Sequence, residues 1–167
     1  MKSTHTIYLG LGTNTGNREE NLTSAIVLLS QMSGSYISKS AFVETEPWGF
    51  DSSNKFLNCA VALETDIPPL VLLDMTESIE RKLGRTVKSA NGVYHDRIID
   101  IDILLYGNMV INSERLTIPH PLMHKRDFVL FPLCEIAAEV KHPVLNKTIF
   151  ELATALKESN EDSQNIL

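Results

Sequence analysis

Apolar residues recur along this chain with two different periods. Ile7-Tyr8-Leu9-Gly10-Leu11-Gly12 is a short, β-rich apolar run and predicts a buried strand. Gly10, Gly12, Asn14 and Gly16 read as the tight turn that ends it, and Asn17 with Glu20 has the form of a capping box. Leu22, Ala25, Ile26, Leu29 and Met32 then fall at helical spacing, stopped by Gly34. Partial alternation over 36–44 predicts a second strand, and 56–64 a third. Between them lies a loop carrying Trp48 and Phe50. Asp66, Pro68 and Pro69 open a second helix, with Leu72, Met75, Ile79 and Leu83 on its apolar face and Gly84 at its end. Residues 85–96 have no period and read as a long loop, of the kind that is functional in a compact domain. A strong strand follows over 98–106, then a Gly107-Asn108 turn and a short strand at 109–111 that pairs back on it. Helices are expected at 124–133 and at 147–158, the latter with Ile149, Leu152, Ala153 and Leu156 inward, and about residues 159–167 should fray.

The order is β-α-β-β-α-β with a C-terminal helical extension. It is the pattern of a ferredoxin-like α+β sandwich: a mostly antiparallel sheet with helices packed on one face, in a single domain over 1–167. The pattern does not say what the protein does.

Composition narrows the class. The 167 residues are 43% hydrophobic, enough for a real core. A net charge of -6 argues against a nucleic-acid partner, since binders of the phosphate backbone show a basic face. Arg81, Lys82, Arg85 and Lys88, with Arg97 close behind, nevertheless form a local cluster suited to a small anion. No segment has the length and apolarity of a membrane span, and Met1 to Thr6 carry no leader-like run, so a cytoplasmic protein is expected, with a monomer in keeping with its size. Cys59 and Cys134 sit in apolar runs without metal-ligand spacing and read as buried free thiols.

The sharpest chemical signal is Arg97-Ile98-Ile99-Asp100-Ile101-Asp102-Ile103-Leu104-Leu105. Alternation sends Ile99, Ile101, Ile103 and Leu105 into the core and sets Asp100 and Asp102 on the other face, roughly 7 Å apart. Two carboxylates this close need a cation, a basic partner or open water. Mg²⁺ suits them, since it takes one or two protein carboxylates and keeps its other positions for water and phosphates; a solvated strand face is the competing reading. Arg85, Lys88 and Arg97 flank this strand and could clamp phosphate, or simply complement a helix end. His120, stiffened between Pro119 and Pro121, is either a phosphate donor or structural. Phe56, Trp48 and Phe128 could stack on a flat ring or fill the core, and Asn58 offers both a donor and an acceptor beside Phe56.

Taken in order, the stretches Tyr8-Leu9-Gly10-Leu11-Gly12-Thr13-Asn14, Thr45-Glu46-Pro47-Trp48-Gly49, Phe56-Leu57-Asn58, Ile79-Glu80 with Gly84-Arg85, Arg97-x-x-Asp100-x-Asp102, Arg115 to Pro121 and Arg126 to Leu133 resemble the 6-hydroxymethyl-7,8-dihydropterin pyrophosphokinases of folate biosynthesis. The resemblance covers nearly the whole chain. It implies transfer of pyrophosphate from ATP to the pterin's hydroxymethyl group, with release of AMP. It implies two Mg²⁺ on Asp100 and Asp102, and cations at Arg85, Lys88 and Arg97 acting in catalysis. The pterin would be held by Phe56 and Phe128, read by Asn58 and Thr45, and flanked by Pro47, Trp48 and Asp100. ATP would lie against Glu80, Arg85, Arg97, Ile103, Arg115, Thr117, His120 and Arg126. The chain departs from the family pattern at His95-Asp96, where small residues or Pro usually precede the arginine, and at Pro121, where an aromatic is usual. Residues alone leave three other classes open: a ferredoxin-like binding module without chemistry, an RNA-binding module and an ordinary kinase. Asp-x-Asp with basic neighbours does not say which phosphorus is attacked.

Overall fold

The computed structural model describes residues 3–46, 54–84 and 98–165, the side chains of 163–165 excepted. The first strand, β1 (His5–Thr13), runs straight through Gly10 and Gly12; the turn expected there begins only after Thr13. α1 (Arg18–Met32) starts where Asn17 accepts the Glu20 N–H at 3.1 Å, which is half of the expected capping box. It buries Leu22, Ala25 and Leu29.

The single strand expected over 36–44 is two, β2 (Ser35–Lys39) and β3 (Val43–Thr45). Both pair with β4 (Phe56–Thr65) on the same edge. Ser40 is the reason for the break. Its hydroxyl accepts the Ala60 N–H at 2.9 Å and donates to the Ala41 C=O at 2.9 Å, so a side chain takes over a ladder bond while the main chain steps sideways. Next comes α2 (Pro69–Lys82), with proline in its first turn where no N–H is required, and then β5 (Asp100–Tyr106). The short strand after Gly107 does not fold back on β5. β6 (Ile111–Asn112) pairs with β7 (Thr117–Ile118) in a separate two-stranded sheet. A 3-10 turn at Met123–Lys125 precedes α3 (Asp127–Ala137). The final helix, α4 (Ile149–Asn165), continues through most of the tail expected to fray. It opens on a capping box in which Thr148 Oγ1 accepts the Glu151 N–H and Glu151 Oε1 accepts the Thr148 N–H, both at 3.1 Å.

The main sheet has the order β2-β4-β1-β5, every pairing antiparallel, as in a ferredoxin-like sandwich. Its two faces carry two cores. Ile7, Leu9, Leu11, Cys59, Val61, Leu63, Ile101 and Ile103 pack against Leu22, Leu29, Leu72 and Ile79 of α1 and α2. Ala60, Leu104 and Leu105 pack against Leu130, Leu133, Ile149 and Leu152 of α3 and α4. Helices therefore cover both faces, because the C-terminal extension supplies the second layer. Leu105 also departs from strict alternation: the register shifts between Tyr8 and Leu9, leaving Leu104 as an extra residue on β5. This bulge turns Leu104 and Leu105 to the α3/α4 side and returns Tyr106 to the other. Both thiols are free. Cys59 is buried and Cys134 partly so, and burial pushes the Cys59 thiol up to about 12, which makes it inert. No helix among the described residues is long and apolar enough to cross a membrane.

The turn joining α3 to α4 is organised by His142. This buried ring accepts N–H bonds from Val144 (3.2 Å) and Leu145 (3.0 Å) on Nδ1. Burial, and then the nearby His124, hold its pKa below the usual 6.5. His120 is depressed in the same direction. In the unfolded chain both titrate normally, so the unfolded state binds more protons and stability falls as pH drops through about 6.5. Thermal melts between pH 7.5 and 5.5 should show a falling Tm. His142→Asn, whose carboxamide oxygen keeps the acceptor without the titration, should show a shallower fall; equal slopes would remove His142 from this role.

Candidate active site

Pairing register places the site. β1 lies between β4 and β5, and Gly12 is paired with Asn58 on one side and Asp100 on the other. Gly10 is likewise paired with Ala60 and with Asp102. Residues paired across neighbouring strands point to the same face, so Asn58, Asp100 and Asp102 share a face, with two glycines as the floor between them. Asn58 and Asp100 are two strand spacings apart, about 10 Å, with no side chain in between. A Cβ at Gly12 would stand 2.8 Å from Asn58 Oδ1 and 3.6 Å from Phe56 Cδ1. The glycines thus make room for the Asn58 carboxamide over Gly12 and for the Leu104 side chain over Gly10, inside a regular strand. They were legible only as a turn signal; their spacing of two, inside an otherwise strand-like run, was the available clue.

Each wall beside this floor is preorganised. Asn58 is almost wholly buried, and its Nδ2 donates to Thr45 Oγ1 at 2.6 Å, which sets the orientation of the carboxamide. Thr45 is placed by β3, where it pairs with Phe56. On the opposite wall Asp100 and Asp102 are half-buried. The outer edge of β5 is tied to α2, where buried Glu80 accepts the Ile101 N–H on Oε2 at 3.0 Å.

A third group arrives from the segment between β7 and α3. His120 follows a cis Ile118–Pro119 peptide and is anchored by its N–H to the Leu104 C=O at 3.0 Å. Its Nδ1 accepts the Leu122 N–H at 3.2 Å, so the neutral ring carries its proton on Nε2. Burial lowers the His120 pKa most, the positive charge of Arg126 lowers it further, and Asp100 partly opposes them. His120, Arg126 and Asp100 are therefore electrostatic neighbours. The Arg126 guanidinium also lies over the Phe128 ring, 5.7 Å from its centroid. Burial keeps His120 neutral and its charge partners have opposite signs, so the cluster presents donors beside a carboxylate pair.

Among proteins of known sequence, a profile described as 7,8-dihydro-6-hydroxymethylpterin-pyrophosphokinase (HPPK) matches residues 8–138. A 2-amino-4-hydroxy-6-hydroxymethyldihydropteridine pyrophosphokinase of Porphyromonas gingivalis is 49% identical over 132 residues, covering 78% of this chain and 90% of the relative. The chain belongs to the HPPK family. The enzyme of the same name from Bacillus subtilis is 42% identical over 135 residues, covering 80% of this chain and 79% of the relative. Two solved structures share the fold. A crystal structure of an HPPK-DHPS in complex with substrates aligns with TM-score 0.78 at 18% identity over 98% of this chain. The wild-type HPPK-DHPS of Plasmodium falciparum aligns with TM-score 0.79 at 19% identity over 99%. This chain spans just under half of each of those longer chains, 45% and 47%.

Of the residues that the HPPK resemblance singled out, Thr45, Phe56, Asn58, Asp100 and Asp102 are gathered on the sheet face. His120, Arg126 and Phe128 follow one another at its border. Thr117 is half-buried in β7, paired with Asn112. Ile103 is buried in the core on the far face, so only its main chain is available to a nucleotide. Arg115 is exposed and held by α2, with Asp74 at 2.8 Å and Glu77 at 3.6 Å. Pro47, Trp48, Arg85, Lys88 and Arg97 lie outside the described residues, as do His95 and Asp96.

The floor predicts two different alanine effects. Gly12→Ala must displace Asn58 and should cost roughly 1–3 kcal/mol in urea denaturation, the range for overpacking. Gly10→Ala meets the Leu104 side chain no closer than 3.4 Å, ordinary van der Waals contact, and should cost less. Equal stability of the two variants would contradict this account of the floor.

Proposed function

We propose that this protein transfers a pyrophosphoryl group from ATP to 6-hydroxymethyl-7,8-dihydropterin, releasing AMP, as a step of folate biosynthesis. One observation carries the reading: a carboxylate pair and an amide–hydroxyl pair face each other across a two-glycine floor in a chain of the HPPK family.

The donor set fits magnesium. Asp100 and Asp102 offer hard oxygens from one rigid strand, and among the described residues no group of three or more His, Cys, Asp or Glu could hold a metal ion. Two carboxylates that leave the remaining positions to water and phosphate are what Mg²⁺ takes. When bound there, two Mg²⁺ supply neutralisation and alignment of the phosphate oxygens. The chain's own residues do the rest by positioning and charge. Phe56 and Phe128 offer faces for the flat pterin, and Asn58, fixed by Thr45, reads its polar edge. Pro47 and Trp48 are proposed to flank it. His120, neutral with a proton on Nε2, and Arg126 donate to the phosphates, while Arg115, Thr117 and the Ile103 main chain lie towards the nucleotide. Arg85, Lys88 and Arg97 are proposed to meet the charge that develops on the leaving group. The hydroxymethyl oxygen forms a bond to the β-phosphorus and loses its proton. The bond from that phosphorus to the α,β-bridging oxygen breaks, and its electron pair leaves on AMP. No side chain is assigned as general base. A cytoplasmic monomer acting without nucleic acid belongs to the same proposal; the net charge of -6 supports the last of these.

Incubation with Mg-ATP and the pterin should yield AMP, dependent on both pterin and magnesium; ADP, or no turnover by folded protein, would overturn the reading. Asp102→Ala should fold and yet lose about 10³-fold in kcat, several kcal/mol of charge stabilisation expressed as rate. Full activity in that variant would overturn the metal assignment.

A further inference from the structure

Glu80 sits in the last two turns of α2, only 6% exposed, and sends its carboxylate to β5 rather than to solvent. β5 is the terminal strand of the main sheet, with β1 as its sheet neighbour on the inner side. Ile101, between the two aspartates, donates its N–H to Glu80 Oε2 at 3.0 Å. The Ile101 side chain is buried beneath the sheet, on the face opposite Asp100 and Asp102. The strand is therefore held on three sides at this residue: by the ladder to β1 within, by the core below and by a carboxylate at the outer edge. Covalent geometry puts that oxygen within about 5.5 Å of the Asp100 Cα. A carboxyl oxygen accepts hydrogen bonds, and this one accepts from the strand itself, so its placement suits holding β5.

We propose that Glu80 is a positioning residue for the metal-bearing pair, fixing the edge of β5 so that Asp100 and Asp102 present their carboxylates at a constant spacing. The inference rests on the magnesium reading of that pair. A partner of this kind, one step behind the ligands, typically changes metal affinity 10- to 100-fold when removed, by roughly the amount expected here.

The probe is Mn²⁺, titrated by electron paramagnetic resonance into the whole protein with a non-hydrolysable ATP analogue, beside amide exchange of Ile101 by NMR. Glu80→Ala should bind Mn²⁺ about 10- to 100-fold more weakly and exchange the Ile101 amide faster. Its affinity for the analogue in EDTA should be unchanged. Glu80→Gln keeps an accepting oxygen and should recover most of the metal affinity. Wild-type Mn²⁺ affinity in Glu80→Ala overturns the inference. So does Glu80→Gln as weak as Glu80→Ala, which would assign the effect to charge, or a loss of analogue binding in EDTA, which would make Glu80 a nucleotide contact. If circular dichroism shows Glu80→Ala unfolded, Glu80→Gln decides: affinity within about threefold of wild type upholds the inference, and a loss beyond about tenfold overturns it. Wild-type protein that binds no Mn²⁺ with the analogue overturns the magnesium reading itself, whatever the variants do.

Discussion

The register of β1 between β4 and β5 is the constraint on which the site depends. It sets Gly12 between Asn58 and Asp100, and Gly10 between Ala60 and Asp102. Because side chains alternate with a period of two, a slip of one residue would turn Asp100 and Asp102 into the α1/α2 core and expose Ile101 and Ile103. The buried isoleucines therefore hold the aspartates in place indirectly: the apolar free energy under the sheet resists any register that would bury two carboxylates. Alternate residues of one strand serve the core and the candidate site.

That strand sits at an edge, where it is accessible and where it is least constrained. Tyr106 ties one end of β5 by donating its hydroxyl to the Ile67 C=O at 2.6 Å, and Glu80 ties the middle at Ile101. The bulge at Leu104 lets the same strand serve two layers, presenting Asp100 and Asp102 near its start and packing Leu104 and Leu105 beneath α3 and α4 further on. The helical layer on that face also delivers the cationic and aromatic groups. Arg126 stands at the N-terminal boundary of α3, Phe128 follows in its first turn, and His120 is anchored to the Leu104 carbonyl. The carboxylates thus sit on the sheet, and His120 and Arg126 on the segments at its border. The charges on the two sides are complementary before any ligand arrives.

Much of this was legible in the chain. The helical spacing of Leu22, Ala25 and Leu29, the proline-led start of α2, and the isoleucine–aspartate alternation are local patterns, and local patterns depend only on near neighbours in sequence. The conjunction of Asp100, Asp102, Asn58 and Phe56 with their flanking motifs pointed to the family that the comparisons identify. Sequence by itself thus determined the main helices and strands in their order, the buried residues of α1, α2 and the first half of β5, and the family. Tertiary structure decided what depends on partners distant in the chain. Ser40 split one expected strand in two because its hydroxyl met Ala60. The bulge at Leu104 reversed the facing of Leu105, and the C-terminal helices covered the face expected to be bare. Gly10 and Gly12 became a floor and not a turn, since only the strands on either side reveal that Asn58 and Leu104 lie where their side chains would be. Glu80 found the Ile101 N–H across 21 residues, a pairing that no periodicity encodes.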